Sequence, residues 1–338
     1  MRLLLLFIAC LLAAGAPVWA QEAVPPQIAQ SAIDALKRAN AGVVGVRVRA
    51  AQGARSAESL GQRRQGSGVV IGDGALVLTI GYLILEADGI QIVTQDDRVV
   101  PAAAVGYDLA TGFGLLRPLL PLTGVEPVPL GSQAGLAEGE SLMAAAGGEG
   151  GGVALTRLVS KRSFSGYWEY HIESALFTSP PIANHSGASL FNQRGELLGI
   201  GSLFVTDALG DERRVPGNMF VPVDLLKPIL AEMQQTGSSR QSRRPWLGLT
   251  STDQGGRVSV VRVNKDSPAA ASGLQPGDVV LAVGGTRVTT LEAFYKAVWS
   301  HPSPDDEITL LVQQGSETRP VVVKAVDRMT TITKPAGI

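Results

Sequence analysis

The residues best able to do chemistry sit in one short run, Asn184-His185-Ser186-Gly187-Ala188-Ser189-Leu190. Pro180 and Pro181 precede it. An apolar pair, Leu190-Phe191, then leads through the turn Asn192-Gln193-Arg194-Gly195 into a strand, Glu196 to Ile200. Small residues flanking one serine between two strands suit a tight turn that lifts a hydroxyl clear of the backbone, which is how a serine nucleophile is presented. Such a hydroxyl reacts only when a neighbouring base takes its proton; in a triad an imidazole does this, and a buried carboxylate fixes the imidazole tautomer. The chain has three histidines, His171, His185 and His301. His185 is adjacent to Ser186, and neighbours on a tight turn project differently. His171 is expected on another strand, and His301 in another module. Lys161 is the nearest lysine in sequence, but its spacing does not place it beside Ser186.

The elements that must position Ser186 are short β-branched runs. In 338 residues there are 40 glycines and few aromatics, so composition and turn signals point to a mainly β chain of about two domains. Forty-five per cent hydrophobic residues suffice for a globular core, and a net charge of -1 implies no global pull toward nucleic acid or a membrane surface. Strands are predicted from Val43 to Arg49, Gly66 to Ile71, Ala75 to Thr79, Ile90 to Thr94 and Val99 to Val105. Further strands are predicted at Val153 to Ser160, Tyr167 to Ile172, Gly199 to Val205 and Asn218 to Val223, with a helix, Leu225 to Gln235, capped by Asp224. Residues 50–65 read as a surface loop. The glycine run through Gly152 reads as a flexible turn, because a phosphate cradle would need a following helix and a lysine.

The serine run resembles the active-serine segment of the HtrA/Deg family, trypsin-like proteases that carry PDZ domains. Ser186, Gly187, Leu190, Gly195, Leu197, Gly199 and Ile200 match the family pattern; Asn184, His185, Ala188 and Ser189 depart from it. The family's base histidine follows a G-S-G-V-I-I hairpin, matched here by Gly66 to Ile71, but Tyr82 stands in the histidine position. The family's orienting aspartate corresponds to Gly112, while Asp108 matches an aspartate outside the triad. A tyrosine with an ordinary pKa of about 10 holds little phenolate at neutral pH. Loss of the base costs roughly 10⁶-fold in turnover in a comparable serine site. Asn184 and His185 occupy the oxyanion positions before the serine, and side chains there are less free to adopt the required turn.

Pro245 to Asp327 resembles a PDZ domain in the permuted order of bacterial Deg proteins. Ser267-Pro268-Ala269-Ala270 through Gly277-Asp278-Val279-Val280 carries the most specific match. The resemblance implies that backbone N–H groups of Trp246, Leu247, Gly248 and Leu249 cradle a terminal carboxylate while an edge strand adds the peptide. Leu291, Phe294 and Val298 share a helix face; they serve as the side-chain pocket or equally as core.

The domain plan is therefore a signal peptide at 1–20, a leader helix at 21–42, a trypsin-like double β-barrel at 43–235, a solvated linker at 236–244, a PDZ domain at 245–327 and a tail at 328–338. Arg2, the apolar run Leu3 to Ala14 and Val18-Trp19-Ala20 form the signal, with the only cysteine, Cys10, inside it. No disulfide, zinc-thiolate site, other metal or cofactor is expected. The expected function is that of an exported, periplasmic pseudoprotease that binds polypeptide C-termini or unfolded segments as chaperone, adaptor or regulator. The alternative is an active endopeptidase using Ser186 with an unconventional base. The family resemblance implies a homo- or hetero-oligomer, a trimer.

Overall fold

The computed structural model describes residues 26–72, 76–210 and 213–332. The signal read at 1–20, the hairpin turn at Asp73-Gly74 and the tail from 333 lie outside these residues. Helix α1 (Pro26–Ala41) leads into β1 (Val43–Ala50), and a short helix, α2 (Ala57–Leu60), lies in the stretch read as a loop. Then come β2 (Arg63–Ile71), β3 (Leu76–Ile80), a single helical turn, α3 (Gly81–Ile84), and β4 (Ala87–Val93), β5 (Val99–Tyr107) and β6 (Phe113–Pro118). These six strands close into a barrel in the order β1-β2-β3-β6-β5-β4. The next six are β7 (Ser141–Ala146), β8 (Gly152–Gly166), β9 (Tyr170–Ser179), β10 (Ser189–Phe191), β11 (Leu197–Val205) and β12 (Gly217–Pro222). They close in the equivalent order, β7-β8-β9-β12-β11-β10. Closure leaves no free sheet edge, and the inward Val, Ile and Leu side chains fill each interior. One apolar cluster runs through both barrels, from Val43 and Leu78 to Phe191 and Val221.

Glycine lets the barrels touch. A Cβ on Gly187 would lie 2.0 Å from Ser67 O, and one on Gly147 would lie 2.3 Å from the Val44 carbonyl carbon. These approaches bring the serine turn and the glycine loop onto β1 and β2.

The helix predicted at Leu225 to Gln235 is two pieces, a 3₁₀ turn (Val223–Leu225) and α4 (Leu230–Thr236). Pro228, which has no N–H, lies between them. Asp224 does not cap the helix; its carboxylate accepts from Ser132 Oγ and Gln133 N, both at 2.7 Å. The connecting segment is docked rather than solvated. Ser239 and Ser242 are buried, and their hydroxyls donate to Asp108 Oδ1 at 2.5 and 2.6 Å. Burial works against the Asp108 carboxylate, but the bonds from Ser239, Ser242 and Thr111 outweigh it and hold the group below the usual range. Arg244, stacked 3.5 Å over the Trp299 ring, is pulled down to about 10 by burial.

The last unit is built from β13 (Pro245–Trp246), β14 (Leu249–Thr252), β15 (Val258–Val263), α5 (Pro268–Ala271), β16 (Val279–Val283), β17 (Thr286–Arg287), α6 (Leu291–Trp299), β18 (Glu307–Gln314), β19 (Glu317–Lys324) and β20 (Val326–Asp327). Its main sheet runs β14-β15-β16-β18-β19, so β14 is an edge strand. Thr290 caps α6 by accepting from Ala293 N at 3.1 Å.

Candidate active site and peptide-binding groove

Ser186 lies in the turn between β9 and β10. The Asn218 side chain braces that turn, accepting from Ile182 N at 2.7 Å and donating to Ile182 O at 3.2 Å. Gly187 takes φ 75°, which a side chain would resist, and Ser67 N donates to Ser186 O at 2.8 Å. The hydroxyl is thus presented beside a cavity of about 130 Å³ between the barrels, lined in part by Gly45, Gly66 and Gly148.

What meets the hydroxyl is Tyr82, carried on α3. Its Oη lies 2.7 Å from Ser186 Oγ and 2.9 Å from Ser202 O. A phenol has one proton, and a carbonyl only accepts, so Tyr82 donates to Ser202 and takes the Ser186 proton's hydrogen bond on its lone pair. Burial, against the pull of the Ser186 bond, pushes the phenol up to about 12. At pH 7 only about one molecule in 10⁵ holds a phenolate. The oxygen beside Ser186 is already protonated, and among the described residues no carboxylate is hydrogen-bonded to it.

The orienter position is closed as well. Gly112 sits at φ 82°, and a Cβ there would lie 3.0 Å from Tyr170 Oη. Tyr170 is buried and donates to Thr111 O at 2.7 Å, and burial pushes its pKa up. A Cβ on Gly81 would meet the Tyr107 ring at 2.2 Å. Aromatic rings occupy the space beside both glycines.

The other candidates turn elsewhere. Asn184 uses its side-chain amide on Gly150 O. His185 Nδ1 lies 3.0 Å from Ala183 O in its own turn, and burial lowers its pKa. His171 pairs with Ser165 Oγ at 2.9 Å, His301 with Val298 O at 3.1 Å, and Lys161 donates to Leu136 O at 2.6 Å. The ligand atoms of His171, Glu173 and Glu292 come within 4.8 Å of one another. Lys296 Nζ lies 2.9 Å from Glu173 and 2.7 Å from Glu292, so one ammonium already pairs with both carboxylates.

In the PDZ unit, the N–H groups of the loop before β14 converge on a carboxylate, and it belongs to this chain. Gly248 N and Leu249 N donate to Glu169 Oε1 at 2.8 Å each, and Leu247 N donates to Oε2 at 3.1 Å. Gly248 needs its φ of 85° here, since a Cβ would strike Ser267 at 2.2 Å. Trp246 is buried beside the loop, under the Arg328 guanidinium at 5.7 Å. Glu169 sits at the tip of the β8–β9 hairpin, where the sequence predicts a strand from Tyr167. The chain instead turns at Tyr167–Glu169, with Glu169 at φ 57°. Burial pushes the Glu169 carboxyl up, against the pull of the three N–H donors.

Leu291, Phe294 and Val298 are all fully buried in the core cluster of this domain. The helix residue that reaches the tip of the hairpin is Tyr295. Its hydroxyl donates to Gly166 O at 2.7 Å and accepts from Glu169 N at 3.2 Å. The i, i+4 spacing from Leu291 was the available signal.

A trypsin-like peptidase domain family matches residues 66–200, and a PDZ domain family matches residues 245–325. The chain is HtrA-like. It is 27% identical over 288 residues to a probable periplasmic serine endoprotease DegP-like of Halomonas elongata, covering 79% of this chain and 57% of that one. It is 27% identical over 264 residues to the serine endoprotease DegS of Escherichia coli, covering 74% and 73% respectively. The chain spans about half the length of the DegP-like relatives it matches. The serine endoprotease of Yersinia pestis superposes with TM-score 0.55 at 24% identity, over 90% of this chain and 99% of that one. The HtrA-type protease AlgW with a tripeptide gives 0.54 at 20%, over 87% and 96%. At these identities the solved structures establish the HtrA-like fold.

Proposed function

We propose that this HtrA-like chain is an exported pseudoprotease that holds polypeptide segments instead of cutting them, acting as chaperone, adaptor or regulator. The Tyr82–Ser186 pair carries the reading, because the only group within hydrogen-bonding distance of the nucleophile position in the described residues is a neutral, high-pKa phenol. Peptide binding is supported by the three N–H groups aimed at one carboxylate and by the edge position of β14. Solved HtrA-type proteins named with a tripeptide or a decapeptide add weight to it. Relatives named periplasmic, together with the signal read at 1–20, support a periplasmic site of action. Trimeric assembly rests on the family resemblance alone.

The test is a fluorophosphonate probe applied to the native protein, with cleavage of unfolded casein run beside it. Neither labelling nor cleavage is expected. Labelling at Ser186 that disappears in Ser186→Ala, together with casein turnover, would overturn the proposal in favour of an active endopeptidase.

A further inference from the structure

The geometry points to the hairpin tip Gly166–Glu169 as an internal ligand of the PDZ groove. The Glu169 side chain stands in for the terminal carboxylate of a bound polypeptide, so a polypeptide C-terminus and this hairpin compete for one site. The inference deepens the peptide-binding reading of the groove and rests on it.

The register carries the argument. Residues two apart on a strand present their N–H groups to the same edge. On β14 these are Leu249 and Ser251. Leu249 N donates to the Glu169 carboxylate, and Ser251 N donates to Tyr167 O at 2.9 Å. Tyr167 lies two residues before Glu169. A peptide added to β14 with its terminal carboxylate in the loop would place the carbonyl two residues back on the same Ser251 N–H. A hairpin has no free end, so it offers its carboxylate from a side chain, and the backbone turns away at φ 57° to continue into β9.

The remaining contacts clamp the tip to the helix that walls the groove. The Tyr295 hydroxyl bridges Gly166 O and Glu169 N, Ser163 Oγ donates to Glu292 at 3.0 Å, and Lys296 links Glu292 to Glu173. The barrel anchors the hairpin from Tyr170 onward, and Trp168 stacks on that ring at 5.9 Å. Tyr167 and Trp168 themselves are 52% and 40% exposed, so the turn before Tyr170 is the part that can leave the groove. Tethered as it is, the hairpin acts at an effective concentration of about millimolar or more. The partner chemistry follows: a polypeptide with a free, ionised C-terminus, able to lie extended along β14, and either tight-binding or abundant. Amidated or internal segments with no acidic side chain at that place offer the loop no carboxylate.

The test uses the full chain and two readouts. Amide hydrogen exchange at Leu247, Gly248, Leu249 and Ser251 is followed in wild type, Glu169→Ala and Tyr295→Phe, with the barrel amides of β9 and β12 as the control for folding. Exchange at the four amides should rise by about tenfold or more in Glu169→Ala and by less in Tyr295→Phe, while the barrel amides stay unchanged. Unchanged exchange at the four amides in both variants overturns the internal ligand. The second readout is anisotropy of fluorescein-labelled decapeptides, randomised except for an apolar last residue, with a free or an amidated C-terminus. Free-carboxylate peptides should bind Glu169→Ala about tenfold or more tightly than wild type, and amidated ones should bind neither. Equal affinity for the two proteins overturns the competition. Faster exchange in the variant with no peptide binding to either protein upholds the hairpin as occupant and overturns the peptide-binding reading of the groove.

Discussion

Ser186 and the PDZ loop each present polar groups shaped for an atom of another molecule, and each is met by a side chain of the same chain. The difference lies in where that side chain is rooted. Tyr82 rides on a single helical turn between β3 and β4, packed against the core of the first barrel, and its phenol is also committed to Ser202 O. Glu169 rides on a surface hairpin tip whose neighbours Tyr167 and Trp168 are half-exposed. The first arrangement can change only by disturbing a barrel; the second can change by moving a turn. A side chain that satisfies a site from within the core removes a function, and one that satisfies it from a surface hairpin can regulate it.

Three measurements break or sharpen that contrast. The largest effect concerns Tyr82→His, which supplies an imidazole but leaves Gly112 in the orienter position, with Tyr170 against it. A serine site with a wrongly oriented imidazole loses about 10⁴-fold in turnover, so fluorophosphonate labelling should stay at least that far below an intact triad. Rapid labelling would mean that the first site is as restorable as the second. Next in size is Asp108→Ala, which strips the shared acceptor from Ser239, Ser242 and Thr111. Chemical denaturation should show a loss of about 3 kcal/mol. The wild-type contribution has a definite pH window. The folded carboxyl lies below its unfolded value, so the stabilisation is complete above about pH 4 to 5 and is lost as pH falls toward the lower folded value. Asp108→Ala should lack that acid-sensitive step. Smallest is Lys296→Met, which removes exposed ion pairs to Glu173 and Glu292. Exchange at the Leu247 to Leu249 amides should rise by less than about threefold at low salt and not at all at high salt. A larger rise would shift the clamp from the Glu169 carboxylate to the ion pairs.

Much of this was legible beforehand. The alternation of β-branched runs with Gly turns marks the barrels, and the Ser267 to Val280 run marks the PDZ unit, because both signals are local in sequence. What escaped is long-range. Glu169 lies 78 to 80 residues from the N–H groups that hold it, and an acid at a hairpin tip reads as an ordinary solvated turn. Ser239 and Ser242 sit in a polar, basic segment that looks like a hinge, and only the buried Asp108 carboxylate explains why they are buried. By spacing Phe294 fits pocket and core equally, and it is fully buried in the core cluster; Tyr295, one position on, reaches the hairpin tip.

The Asp108 cluster also makes the first barrel depend on sequence far beyond it. Its carboxylate belongs to that barrel, yet two of its hydroxyl partners lie 131 and 134 residues further along the chain. Gly237 O, which accepts from Tyr107 N at 2.8 Å, comes from the same segment. A chain cut short after the second barrel would leave a buried acid without its serine donors, so the segment leading to the PDZ unit is a structural part of the barrel it crosses.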